Sequence, residues 1–134
     1  MNTILQFIIY GLLLAGLTLL IWIWNRGAQR RRFNRAFPKG VDAFWTPEHQ
    51  PLLTAIEDAY GLRRGWASRI PPTTTPMDLY LTLYPEHCIY DDCENERFLK
   101  ALQTQFKQSL SADILSQPIE QLAARWLEAT PSTL

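Results

Sequence analysis

No acidic side chain occurs in the first 40 residues of this chain, and no basic one precedes Arg26. Residues 4–24 carry no charge of either sign, and only Gln6 and Thr18 among them are clearly polar. Cysteine and histidine are nearly as scarce: Cys88, Cys93, His49 and His87 are the full complement. That is too little for a convincing zinc ligand set, because no second close cysteine pair accompanies the first. A glycine-rich phosphate loop, a nucleophile elbow and a His-Glu metal motif are all absent. His87 with Asp91 and Asp92 can be drawn as an acid–base cluster, but a solvated histidine and helix-capping aspartates account for the same residues. The chain is therefore expected to be no enzyme, with no cofactor and no metal.

What is present begins with the uncharged run itself. At about 1.5 Å per residue, residues 4–24 make a helix roughly 30 Å long, the thickness of a bilayer's hydrocarbon core. A cleavable signal peptide would want basic residues ahead of a shorter apolar stretch and a small-x-small cleavage site. Here Trp22, Trp24 and Arg26 stand where cleavage would fall, so residues 1–25 read as a retained transmembrane anchor. Every nearby basic residue follows the span. Lys and Arg are held on the cytoplasmic side, which predicts the N-terminus outside and the rest inside a plasma or inner membrane. Trp22 and Trp24 suit the inner headgroup belt, and Arg26, Arg30, Arg31, Arg32 and Arg35 lie where anionic lipid attracts them. Gly11 and Ala15 are four apart, a spacing that would let two copies approach closely as a homodimer.

The formal charge of zero conceals a division. Residues 1–40 hold six basic side chains, whereas the remainder holds seven basic against all thirteen acidic ones, a net of −6. A basic collar thus feeds an acidic domain. Nucleic acid is not an expected partner of such a domain, because phosphate binding needs a basic face. In a reducing compartment, Cys88 and Cys93 are expected to be ordinary thiols.

Residues 26–45 read as a basic juxtamembrane segment interrupted by Gly27, Pro38 and Gly40. Phe33, Phe37, Phe44 and Trp45 are apolar enough to pack on the domain or dip into the interface. The anchor helix can run on to Ala36, with Pro38 ending it. Residues 46–130 then read as a cytoplasmic helical domain. Thr46 as cap, Pro47 at the first position and Glu48 open a helix over 47–60. Its apolar stripe is Leu52, Leu53, Ile56, Ala59 and Tyr60, and Gly61 before Leu62 predicts a left-handed stop. Residues 61–90 form a long irregular connection broken by Pro71, Pro72, Pro76 and Pro85. Within it, Thr75 to Asp78 predicts a capped short helix reaching Tyr84, although Leu79, Leu81 and Leu83 alternate at a strand period. A further helix is expected over 92–110, with Phe98, Leu99, Leu102, Phe106 and Leu110 as its stripe. A last one is expected over 117–129, capped by Ser116 or Gln117, with Ile119, Leu122, Ala123, Trp126 and Leu127 facing inward. The fold class is all-α: one transmembrane helix plus a small bundle of three main helices, with the long loop between the first and second.

This arrangement resembles an acyl carrier protein over about residues 46–129. The likeness is carried by a helix ending in Tyr60-Gly61-Leu62 and, after a long loop, by Asp91-Asp92-Cys93-Glu94 opening Phe98-x3-Leu102-x3-Phe106. The turn Leu110-Ser111-Ala112-Asp113 and the closing Ile119-x2-Leu122-x3-Trp126 extend it. In that family a serine within an Asp-Ser-Leu motif carries a phosphopantetheine arm, whose phosphate sits at a helix N-terminus. Aligned on the helix, Asp91 matches the Asp, Asp92 stands at the serine and Cys93 at the Leu. A carboxylate cannot receive the arm. Cys93 is no substitute, since a bare thiol lacks the arm's reach and Asp91, Asp92 and Glu94 oppose its ionisation.

The resemblance therefore implies a degenerate carrier-like fold serving as a membrane-anchored, non-catalytic interaction module. Its partner would be an unidentified protein at the cytoplasmic membrane face. Ile70, Tyr80, Tyr84, Tyr90, Asp91 and Asp92 are the candidate docking surface. The alternative is a working carrier of acyl or related groups at the membrane.

Overall fold

The computed structural model describes residues 2–39, 44–84 and 93–129, and no strand occurs among them. Five α-helices follow in order: α1 (Thr3–Ala36), α2 (Gln50–Tyr60), α3 (Pro76–Leu83), α4 (Cys93–Phe106) and α5 (Ile119–Ala129). Short 3-10 turns lie at Pro47–His49, Ala67–Arg69 and Ala112–Ser116. His87, Cys88, Tyr90, Asp91 and Asp92 lie outside the described residues, as does Gly40.

Helix α1 starts at Asn2, whose side-chain carbonyl accepts from the Ile4 N–H at 3.2 Å. It ends at Ala36, where Phe37 leaves the helical region at φ −127° because Pro38 disfavours that region for the residue before it. Gly27 does not interrupt the helix, contrary to the expectation from sequence. A single glycine costs only about 1 kcal/mol in a helix, and its neighbours on either side are strongly helical. The apolar part of α1, with a mean hydropathy of 2.4, is long enough to cross a membrane and has none of its length buried inside the protein. A core helix would hide such side chains, whereas Phe7, Leu12 and Leu20 all lie open.

The polar end of α1 behaves differently. Phe33 is fully buried and stacks on Trp66 with ring centroids 5.2 Å apart, while Phe37 leans on Phe33 at 5.0 Å. Arg69 lies over the Phe33 ring and donates to Asn34 Oδ1 at 2.8 Å. The segment set apart by sequence as juxtamembrane is thus partly core, and α1 packs on α3. Trp45 joins it less deeply, donating from its indole to the Ile70 carbonyl at 2.9 Å; Phe44 stays exposed.

In α2 the expected stripe is buried, with Glu57 beside it. The helix stops at Gly61, which adopts φ +68°, and the Leu62 N–H closes back on the Glu57 carbonyl at 3.0 Å. Residues 76–84 resolve in favour of the helix. Asp78 N–H donates to Thr75 Oγ1 at 3.0 Å and Thr75 N–H to Asp78 Oδ2 at 3.3 Å. Leu79 and Leu83, four apart, are fully buried, while Leu81 is 48% exposed. A strand would have put all three on one face.

Helix α4 buries Asn95, Phe98 and Leu102 against α2 and α5. It ends four residues earlier than expected, at Phe106, and Lys107 turns left-handed at φ +55°. Leu110 therefore lies beyond the helix. Helix α5 begins at Ile119 rather than 117, since Gln117 closes the preceding 3-10 turn. Its cap is neither Ser116 nor Gln117. Instead, the Ile119 and Glu120 N–H groups donate to the carbonyls of Thr74 and Pro72, each at 2.9 Å. The proline-rich loop supplies acceptors that a helix N-terminus otherwise lacks.

Candidate functional site at the junction of the long helix and the domain

Trp22, Asn25, Arg26 and Gln29 fall at i, i+3, i+4 and i+7, so they share one face of α1 just past the apolar run. That face forms one wall of a cleft of about 200 Å³. The opposite wall comes from the end of α2 (Tyr60, Gly61), the residue after α3 (Tyr84) and the first turns of α4 (Glu94, Arg97).

Several wall residues are held by identifiable contacts. Arg26 Nη1 donates to the Gly61 carbonyl at 3.1 Å, satisfying an acceptor at the C-terminus of α2, and its guanidinium lies 5.1 Å from the Trp22 ring centre. Tyr84 donates to Glu94 Oε1 at 2.6 Å. Tyr60 donates to Asn95 Oδ1 at 2.7 Å and leans on Phe98 with centroids 5.8 Å apart. Burial raises the Tyr60 and Tyr84 hydroxyls well above the ordinary tyrosine range, and the nearby Glu94 carboxylate raises both further. Both phenols therefore remain neutral donors. The cleft offers cationic donors at Arg26 and Arg97 and one carboxylate at Glu94, groups that can bind a polar ligand.

The other collar residues divide. Arg32 Nη1 donates to the Leu83 carbonyl at 2.9 Å and so caps α3. Arg31 lies 6.0 Å from the Trp24 ring, and Arg35 is exposed. Arg30 is partly buried, and its Nε has no hydrogen-bond partner among the described residues. That burial, with the charges of Arg63 and Arg26 nearby, lowers its pKa. Trp22 and Trp24 are exposed, as an interfacial belt requires.

The docking surface expected from sequence is corrected in part. Ile70 is fully buried and Tyr84 nearly so. Both are core residues, drawn in by the packing of the Ala67–Arg69 turn and α3. Tyr80 is half-buried and rests on Tyr84 at 5.1 Å; Tyr90, Asp91 and Asp92 lie outside the described residues. Glu94 and Arg97, which line the cleft, are not among the site residues expected from sequence. The signal available was the polar stripe at 22, 25, 26 and 29, which needs a facing wall. Glu57 was also missed: its Oε2 accepts from the Gly65 and Ala67 N–H groups at 2.8 and 3.1 Å, pinning the loop after α2. Among the described residues no three His, Cys, Asp or Glu side chains gather as a metal site would need.

Comparison of the chain with protein-family models, with curated proteins and with solved structures gives no match in any of the three.

Proposed function

We propose that this protein is a single-pass membrane adaptor. Its helical domain presents a docking surface to a protein partner at the cytoplasmic face of the inner or plasma membrane, with the N-terminus outside. The observation that carries the reading is the continuity of α1, which passes from open apolar residues into the domain core at Phe33 without a break. A flexible tether lets a domain roam, whereas a helix clamped by Arg26, Arg32 and Phe33 holds it at one height and orientation. That suits a module whose task is to place a surface beside the membrane.

Within this reading the domain is a relative of the acyl carriers that has kept the bundle and lost the cargo, because Asp92 stands where the arm would attach. Intact mass after co-expression with a phosphopantetheinyl transferase is expected to stay unchanged; a gain mapped to residues 46–129 would overturn this in favour of a working carrier. The adaptor role itself is tested by affinity purification from detergent-solubilised membranes. The control keeps residues 1–36 fused to an unrelated domain. Proteins enriched by the full chain over the control are expected, and identical recovery from both would sink the proposal.

A further inference from the structure

We propose that the cleft between α1 and the domain seats the headgroup of a membrane phospholipid, with Arg26 and Arg97 countering the phosphodiester and Glu94 accepting from a donor at the headgroup's far end. The inference rests on the membrane reading of α1 and assigns a ligand to the site already described.

Depth is the first argument. Trp22 lines the cleft, and Arg26 stands only two residues past Trp24, roughly 3 Å further along the axis. The cleft therefore opens at the level where lipid phosphates lie. A lipid seated there can run its tails down the open apolar flank of α1, where Ile21 and Trp22 are more than half exposed. A soluble anion has no comparable contact.

Chemistry is the second argument. A guanidinium carries several N–H donors, and Arg26 spends one on the Gly61 carbonyl. Asn25 and Gln29 add neutral amides on the same wall. Arg30 stands near Arg26 and Arg63, and its Nε has no hydrogen-bond partner among the described residues, so positive charge gathers beside the cleft. Glu94 makes the cleft bipolar. One of its oxygens is fixed by Tyr84, which orients the carboxylate without neutralising it. A headgroup whose terminal group donates hydrogen bonds, an ammonium or a glycerol hydroxyl, matches this pattern. A trimethylammonium does not, because it has no donor.

The test uses the full chain. It is first floated with phosphatidylcholine vesicles; a chain that does not float loses both the membrane reading and this proposal. Native mass spectrometry then follows from micelles doped with equal amounts of phosphatidylcholine, phosphatidylethanolamine and phosphatidylglycerol. One retained lipid is expected, ethanolamine or glycerol type over choline by about tenfold, the scale of one charge-assisted hydrogen bond. Arg97→Gln, at an exposed position, should lower retention about tenfold with the melting temperature unchanged. Glu94→Gln, which keeps an acceptor but removes the charge, should reduce the preference over choline, and Glu94→Ala should erase it. Equal retention of all three lipids by a chain that floats, or retention unaltered by Arg97→Gln, overturns the headgroup seat while leaving the anchor intact. Inorganic phosphate is the final arm: if it raises the melting temperature in phosphatidylcholine as much as the lipids do, the site holds a free anion and the lipid assignment fails.

Discussion

Glu57 is 2% exposed, and one of its carboxylate oxygens takes two backbone N–H donors while the other faces Arg64 at 3.5 Å. Arg64 is largely exposed and also pairs with Asp58 at 2.8 Å, so the ion pair itself adds little. What matters is the two amides of the loop after α2. Glu57→Leu strands them and is expected to cost about 1–3 kcal/mol for each donor left buried. Glu57→Gln keeps an acceptor oxygen in place and should cost clearly less; urea unfolding of the two variants followed by circular dichroism separates them. Equal losses would show that the charge, not the acceptor, holds the loop. The two buried phenols make a second prediction at this scale. Their folded pKa values lie above the ordinary 10.0, so the folded state holds its protons longer than the unfolded chain does. Stability from this source is fully present below about pH 10 and is lost as pH rises beyond it. Thermal melts between pH 9 and pH 11 should fall for the wild type. Tyr84→Phe should flatten that fall and also free Glu94.

At the scale of elements, the helix ends are closed by groups distant in sequence. The α2 terminus is held by Arg26, the α3 terminus by Arg32 and the α5 start by the carbonyls of Pro72 and Thr74. Gly61 is doubly constrained. Its left-handed conformation disfavours any side chain by roughly 1–2 kcal/mol, and a Cβ there would collide with the Arg26 guanidinium. Gly61→Ala is therefore expected to destabilise the domain and to release the α1 wall of the cleft together. The readout is a lowered melting temperature with increased mobility of a spin label at Gln29; a rise in mobility without the stability loss would contradict this account. Phe33 is the packing counterpart. Phe33→Ala removes a fully buried ring stacked on Trp66 and should cost about 3–5 kcal/mol, seen as new protease sensitivity between α1 and α2.

For the whole molecule, the consequence is that the folding unit does not begin at Thr46. A fragment of residues 46–134 leaves Trp66 and Arg69 without Phe33 and the Ile70 carbonyl without the Trp45 indole, whereas residues 26–134 keep these contacts. The shorter fragment is expected to melt at a much lower temperature or without a cooperative transition, and the longer one to unfold cooperatively. Equal melting of the two would place the α1 contacts outside the core. Orientation belongs to the same scale. With Cys88 and Cys93 replaced by serine, a cysteine at Asn2 should react with an impermeant maleimide in intact cells, and one at Ser68 only after permeabilisation. The reverse pattern would overturn the charge-based topology.

Helix type and place were legible wherever a local cause suffices. The uncharged run, the Thr75–Asp78 cap, the Gly61 stop and the Phe98–Leu102 stripe are statements about neighbours within a turn or two, and each element appears where those neighbours put it. Three ends moved: α2 starts at Gln50 after a 3-10 turn over Pro47–His49, α4 stops at Phe106 where Lys107 turns left-handed, and α5 starts at Ile119, where the first N–H groups bond the distant Pro72–Thr74 loop. Only the tertiary structure made Phe33 core, withdrew Ile70 and Tyr84 from the surface and brought Glu94 and Arg97 to face Arg26. The reason is physical. Periodicity tells which side of a helix is apolar, but not which other element will cover it, and a cleft between two elements exists only once both are in place.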